Sequence, residues 1–212
     1  MIITYHGADF FKVSFGDTTL AFGPVAKTSQ LKQTRFGADI ALVSLEHPDM
    51  NGVDTVALGE KQPFEIRGPG EYEVHGVLIK GYPTKSMYGG EERINTVYLV
   101  SFEKMLLLYL GALGTREFPA DLKEALEYID ILFVPIGGDG VLEPDEAHEL
   151  AVSIEPRLVI PMHFGTVGKK GALDLFLKEE ASGNEQPQFI DKLTLKSKDL
   201  DGKQNEVVLF SA

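Results

Sequence analysis

The sequence contains no cysteine and no tryptophan. Without cysteine the chain can form no disulfide bond, bind no metal through a thiolate and use no cysteine nucleophile, so thiol redox chemistry is excluded. Any metal ligands must therefore be histidines and carboxylates, and only five histidines stand among the 212 residues.

Positive charge is also scarce. The chain has 20 basic and 32 acidic side chains, which gives a formal net charge of −12, and its densest basic run is the pair Lys169-Lys170. A field of this sign repels a phosphate backbone, so we expect no nucleic-acid partner.

Long apolar segments are missing as well. The longest apolar run, residues 105–110, is far too short to span a bilayer. Residues 1–4 lack the basic region and the long apolar region of a signal peptide. The sequence therefore predicts no membrane partner and a soluble protein of the cytoplasm.

What the chain does contain is an ordinary globular composition, with 43% hydrophobic and 25% charged residues, from which we expect a single domain over residues 1–212. The first half alternates short β-rich runs with turns, which predicts strands and hairpins, including a pair on both sides of Gly76. Composition predicts a loop for residues 82–93, and a closing hairpin is predicted within residues 193–210.

The second half alternates helical and strand patterns. Amphipathic spacing predicts a helix over residues 120–128, a second helix that begins near Pro144 and a third around Phe176. The apolar runs at residues 131–134 and 158–160 predict buried strands between them. This order is typical of a partly parallel sheet that carries functional residues at the carboxyl ends of its strands.

Residues 41–54 combine a predicted strand with a polar loop that carries His47 and Asp49. A rigid strand end positions such side chains, and a His and an Asp two residues apart are what a metal site or an acid/base site needs. The alternative is a hydrogen-bonded pair that only orders the loop. His163, after another predicted strand, is either a polar remnant or a ligand-binding residue.

Several short motifs follow one another in a characteristic order and spacing. They are Ile3-Thr4-Tyr5 with Gly7, residues 38–54, residues 68–74 with Gly76, residues 95–98, Leu110-Gly111 with Leu113-Gly114, Val134-Pro135 with Gly137-Gly138, and residues 154–163. Over nearly the whole chain they resemble the metallo-β-lactamase superfamily, in particular a small bacterial and archaeal branch of zinc-dependent hydrolases that includes the ascorbate-phosphate lactonases. The resemblance implies an α/β fold, a four-layer αββα sandwich, with a metal site along one edge.

Most of the metal ligands that the resemblance implies are replaced in this chain. The family pattern His-x-His-x-Asp-His reads Leu45-Glu46-His47-Pro48-Asp49-Met50 here. Ala112 stands where the family has its metal-bridging Asp, and Ala8 where it has a His in the first turn. The ligands that remain are His47, Asp49 and His163. Since a hydrolytic zinc needs about three protein ligands, neither half of a dinuclear site is complete.

Three hypotheses follow. The first is a protein without a metal cofactor, with a degenerate site, which acts in binding or assembly. Its small-molecule ligand would occupy a cleft formed by His6, Asp9, His47, Asp49 and His163. The alternative is a hydrolase of small esters, lactones or phosphoesters, in which one Zn or Mn is held atypically and Asp49 is catalytic. The third is a homo-oligomer that pairs through exposed strand edges near residues 70–80 and 193–210.

Overall fold

Alternating apolar residues in the first half of the chain and unbroken apolar runs in the second form two β-sheets. The computed structural model describes residues 1–180 and 188–211. The strands are β1 (Ile2–Tyr5), β2 (Phe11–Phe15), β3 (Thr18–Phe22), β4 (Ile40–Leu42), β5 (Phe64–Ile66), β6 (Gly70–Val74), β7 (Val77–Ser86), β8 (Arg93–Phe102), β9 (Met105–Tyr109), β10 (Ile131–Pro135), β11 (Leu158–Met162), β12 (Phe189–Ile190), β13 (Leu193–Thr194), β14 (Glu206–Val207) and β15 (Leu209–Phe210). The helices are α1 (Val53–Val56), α2 (Ala120–Glu124), α3 (Pro144–Ile154) and α4 (Ala172–Glu180).

Both sheets are mixed. One has the order β13-β1-β2-β3-β4-β5, the other has the order β14-β11-β10-β9-β8-β7-β6, and β12 pairs separately with β15. The neighbours β9, β10, β11 and β14 run parallel, as the alternation of helices and strands predicts. Their carboxyl ends therefore meet at one edge of the sheet.

Three apolar clusters separate four layers. The largest lies between the two sheets and includes Phe11, Phe22 and Phe133, each 0% exposed. A second packs the seven-stranded sheet against α2, α3 and α4. A third covers the six-stranded sheet with α1 and the loop before β4. The expected four-layer αββα sandwich is confirmed, although α1 is only one turn long. Among the described residues, no helix is long and apolar enough to cross a membrane.

Helix α3 forms as predicted, because its sequence carries both a start signal and one apolar face. Pro144 occupies the first turn, and the side chain of Glu146 accepts the backbone N–H of Glu143 at 3.0 Å in a capping box. Its buried residues are Pro144, Ala147, Leu150, Ala151 and Ile154. The predicted third helix is α4, in which Phe176 is fully buried.

The predicted loop over residues 82–93 is wrong for half of its length. Strand β7 continues to Ser86 and β8 begins at Arg93, which leaves a 3-10 turn at Tyr88–Gly90 between them. Pro83 is tolerated within β7 because β6 pairs with β7 only as far as Gly81, so that β7 is an edge strand at the proline.

Two further predictions are wrong in detail. The helix expected over residues 120–128 ends at Glu124, and Tyr128 has a positive φ of 63°, which no helix continues through. The closing hairpin within residues 193–210 does not form, because β13 pairs with β1 and β14 pairs with β11. An apolar run indicates a strand but does not specify its partner.

Candidate functional site

The edge at which the strands end is built around Asn95 of β8. This side chain is 0% exposed; its Nδ2 donates to the Leu110 carbonyl at 2.9 Å, and its Oδ1 accepts the Ala112 N–H at 2.9 Å. Leu45 forms a β-bridge with Asn95 from the other side. The loop after β4 and the loop after β9 are therefore held side by side.

Gly111 allows this close approach. It has a positive φ of 58°, and a Cβ added there would lie 2.4 Å from the Cβ of Ser44. Both the backbone conformation and the space therefore require glycine.

Asp9 and His163 form a buried pair at this edge. Nδ1 of His163 donates to Oδ2 of Asp9 at 2.6 Å, and both side chains are 0% exposed. The backbone N–H of His163 donates to the Ala8 carbonyl at 2.8 Å, which brings the first turn of the chain to the end of β11. Oδ1 of Asp9 and Nε2 of His163 have no hydrogen-bond partner among the described residues. Each buried polar atom that is left without a hydrogen-bond partner lowers the stability of the folded state by about 1–3 kcal/mol.

Asp49 connects three loops. Its Oδ1 accepts a hydrogen bond from Ser29 Oγ at 2.5 Å, and its Oδ2 accepts one from the hydroxyl of Tyr88 at 2.6 Å. Nδ1 of His47 lies 3.5 Å from Oδ2 of Asp49 and accepts the Asp49 backbone N–H at 3.3 Å. The side chains of His47 and Asp49 are 23% and 15% exposed. Asp49 thus orders the loop through the hydroxyls of Ser29 and Tyr88.

Tyr88 is the site residue that sequence reasoning missed. Its ring lies 4.9 Å from the ring of His47 and 4.8 Å from that of His163, at interplanar angles of 72° and 87°. Burial, the hydrogen bond to Asp49 and the carboxylates of Asp49, Asp9 and Asp139 raise the pKa of Tyr88 well above its usual range. The phenol is therefore neutral and donates its proton. The only local signal is an aromatic residue in a glycine-rich turn.

An apolar cluster fills the positions that the resemblance assigns to metal ligands. Leu45 is 1% exposed, Met50 0% and Ala112 0%, and the three pack together with Val141. Tyr88 packs against this cluster from the outside. The described residues contain no group of three or more histidines and carboxylates placed to hold a metal ion.

His6 is not brought to the other four predicted residues. Its ring packs against Phe10 at 5.2 Å and Phe36 at 5.6 Å, and Nε2 lies 3.4 Å from Thr4 Oγ1. Burial, followed by the charges of Lys12 and Lys32, lowers the pKa of His6 to about 4. His6 is therefore neutral at pH 7 and acts as part of an aromatic cluster.

A cleft of about 490 Å³ opens on the outer side of Tyr88. It is lined by His47, Met87, Tyr88, Gly89, Gly90, Asp139 and Gly140. The Met87 N–H donates to the Gly140 carbonyl at 3.0 Å, which fastens the Tyr88 turn to the loop after β10. Of the five residues predicted to form a ligand-binding cleft, His47 alone is among those that line it.

Comparison with known proteins agrees with the fold. Residues 2–163 match the family described as the beta-lactamase superfamily domain. A UPF0173 protein of Pyrococcus abyssi is 24% identical over 199 residues, which cover 84% of this chain and 90% of the relative. A UPF0173 metal-dependent hydrolase of Bacillus thuringiensis is 28% identical over 200 residues, which cover 78% and 86%.

Solved structures give the same assignment. A Thermotoga maritima protein of the metallo-β-lactamase superfamily superposes with a TM-score of 0.75 at 28% identity, covering 99% of this chain and 97% of the other. Igni18, a metallo hydrolase of Ignicoccus hospitalis, shares the fold with a TM-score of 0.63 at 18% identity, covering 92% and 99%. Since the family match spans most of the chain, this protein belongs to the metallo-β-lactamase superfamily.

Proposed function

We propose that this protein binds a small molecule beside Tyr88, at the edge where the strands end, and that it does so without a metal ion. The observation that carries the proposal is the buried packing of Leu45, Met50 and Ala112 where the superfamily resemblance places metal ligands. Leucine and alanine have no donor atom, and a methionine thioether is too soft for a site made of imidazoles and carboxylates.

The donors that remain do not fit the metal centre that the fold implies. Of His47, Asp49 and His163, the last is bonded to Asp9, and the ring of Tyr88 lies between the two imidazoles. A metal bound to the unpaired Nε2 of His163 would leave the hydrogen bond between Nδ1 and Asp9 in place. A metal shared by all three donors would nevertheless require the Tyr88 ring to leave and its hydrogen bond to Asp49 to break, and this cost opposes metal binding.

A second candidate function is metal-dependent hydrolysis of small esters, lactones or phosphoesters. It is favoured by relatives named UPF0173 metal-dependent hydrolases, and the comparisons support it more directly than they support a non-catalytic role. In that case a single Zn or Mn would use His47, Asp49 and His163, with Asp49 as the catalytic carboxylate. The donor geometry of this chain favours the first candidate.

Elemental analysis separates the two candidates. The protein is purified without chelator, its metal content is measured, and hydrolysis of a generic phosphodiester and a lactone is assayed with and without added Zn or Mn. We expect no stoichiometric metal and no turnover above that of the His163→Ala variant. Stoichiometric metal together with turnover that His163→Ala abolishes would establish the hydrolase instead.

A further inference from the structure

We infer that Tyr88 occupies, within its own chain, a pocket for a small planar aromatic molecule that carries a hydrogen-bond donor, and that the Tyr88–Gly90 turn moves aside when this ligand binds. The inference rests on the proposed function, because the ligand takes the space between His47 and His163 that a shared metal would otherwise need.

The walls of the pocket suit any flat ring. Tyr88 meets the rings of His47 and His163 edge to face and packs on the apolar cluster of Leu45, Met50, Ala112 and Val141. Aromatic contacts of this kind depend on ring shape and not on attachment to the backbone. A free aromatic molecule of the size of a phenol can therefore make the contacts that the Tyr88 ring makes.

The polar groups of the pocket are hydrogen-bond acceptors, so they favour a ligand that donates a hydrogen bond. Asp49 accepts the Tyr88 hydroxyl, and Oδ1 of Asp9 is a second buried acceptor that has no partner among the described residues. The negative charges of Asp49, Asp9 and Asp139 all raise the pKa of the Tyr88 hydroxyl. A ligand that donates a hydrogen bond satisfies Asp49, whereas a carboxylate or phosphate would meet like charge and leave this acceptor unpaired.

Tyr88 itself makes three hydrogen bonds, in addition to the bond between the Met87 N–H and the Gly140 carbonyl that fastens the turn. The Tyr88 N–H donates to Ser86 Oγ at 3.1 Å, its carbonyl accepts from Arg93 Nη1 at 2.9 Å, and its hydroxyl donates to Asp49. Gly89 and Gly90 follow with φ values of 78° and 82°, and glycine populates both positive and negative φ without a steric penalty. The cleft on the outer side gives the ring a place to turn into.

Titration calorimetry with phenol, benzamidine, benzoate and toluene tests the inference. Benzamidine and benzoate have nearly the same shape, but the first donates hydrogen bonds and the second only accepts them. We expect the Tyr88→Ala variant to bind phenol and benzamidine at least about tenfold more tightly than the wild type, since Tyr88 no longer competes. We expect no binding of benzoate, and a loss of about tenfold in benzamidine affinity when Asp49→Asn is added to Tyr88→Ala.

Three results would overturn the inference. Equal affinities of the wild type and Tyr88→Ala would mean that Tyr88 does not occupy the pocket. Binding of benzoate or toluene as tight as that of benzamidine would mean that the space is only an apolar cavity. Absence of binding would also refute the inference, provided that circular dichroism shows Tyr88→Ala to be folded. If Tyr88→Ala does not fold, the same titrations are made with Tyr88→Phe, which keeps the ring but loses the hydrogen bond to Asp49, and the same order of affinities is expected.

Metal content of the same preparations keeps this test separate from that of the proposed function. Metal-free protein that fails to bind phenol and benzamidine contradicts the ligand class alone. Stoichiometric metal contradicts the proposed metal-independent binding, whatever the aromatic compounds do.

Discussion

Removing the Asp9 carboxylate should destabilise the protein strongly, because it leaves a buried imidazole without a partner. In the wild type Nδ1 of His163 donates to Asp9, while Nε2 already lacks a partner among the described residues. The Asp9→Ala variant leaves both ring nitrogens unpaired at a position that is 0% exposed. Removing one partner of a buried pair costs about 3–5 kcal/mol.

Urea unfolding followed by circular dichroism measures this cost, and a thermal melt should show a fall of about 6–20 °C for a chain of this size. Asp17→Ala is the matched control, because Asp17 is exposed and its loss should change stability by no more than about 0.5 kcal/mol. Adding His163→Phe to Asp9→Ala should recover part of the loss, since no unpaired imidazole remains. A cost for Asp9→Ala equal to that of Asp17→Ala would refute the buried pair.

Three further predictions concern pH, the strand-end edge and assembly. His6 has a folded pKa of about 4, below its ordinary 6.5, so the unfolded chain binds the proton better; stability should be full above pH 6.5 and fall as the pH is lowered towards 4. The urea midpoint of the His6→Leu variant should therefore fall less over this pH range than that of the wild type, and identical pH profiles of the two proteins would contradict the assignment. Asn95→Ala should cost about 2–4 kcal/mol in urea unfolding, because it leaves the Leu110 carbonyl and the Ala112 N–H unpaired. Asn51→Ala, which removes one surface hydrogen bond to Glu46, should cost about 0.5 kcal/mol, and equal costs of the two variants would exclude a role of Asn95 in joining the two loops. Since β6 and β13 are edge strands, assembly through them predicts a homo-oligomer by light scattering, and a monomeric mass would count against it.

The sequence predicts most of the sandwich because its strands and its two longer helices carry local signals. The apolar runs of β10 and β11 and the proline and apolar face of α3 identify these elements directly. The motif order adds the arrangement of the sheets, which local patterns do not contain. The last strands are assigned to the wrong partners because β14 pairs with β11 through a contact that no local pattern specifies.

The candidate site, like the fold, is predicted only in part from the sequence. His47, Asp49 and His163 are found at the predicted edge, since each follows a strand end. The bond between Asp9 and His163 joins residues 154 positions apart, so only the folded chain reveals it. Tyr88 is missed because an aromatic residue in a glycine-rich turn is ordinarily exposed, and its contacts with two histidines arise from the packing of three loops.

The most direct test of the account is a crystal structure of the protein grown with excess zinc, with diffraction data collected at the zinc absorption edge. Metal-independent binding predicts no anomalous peak between His47 and His163, and a Tyr88 ring that lies between the two imidazoles with its hydroxyl on Asp49. An anomalous peak bonded to Nε2 of His163, with Tyr88 turned out of the site, would contradict it.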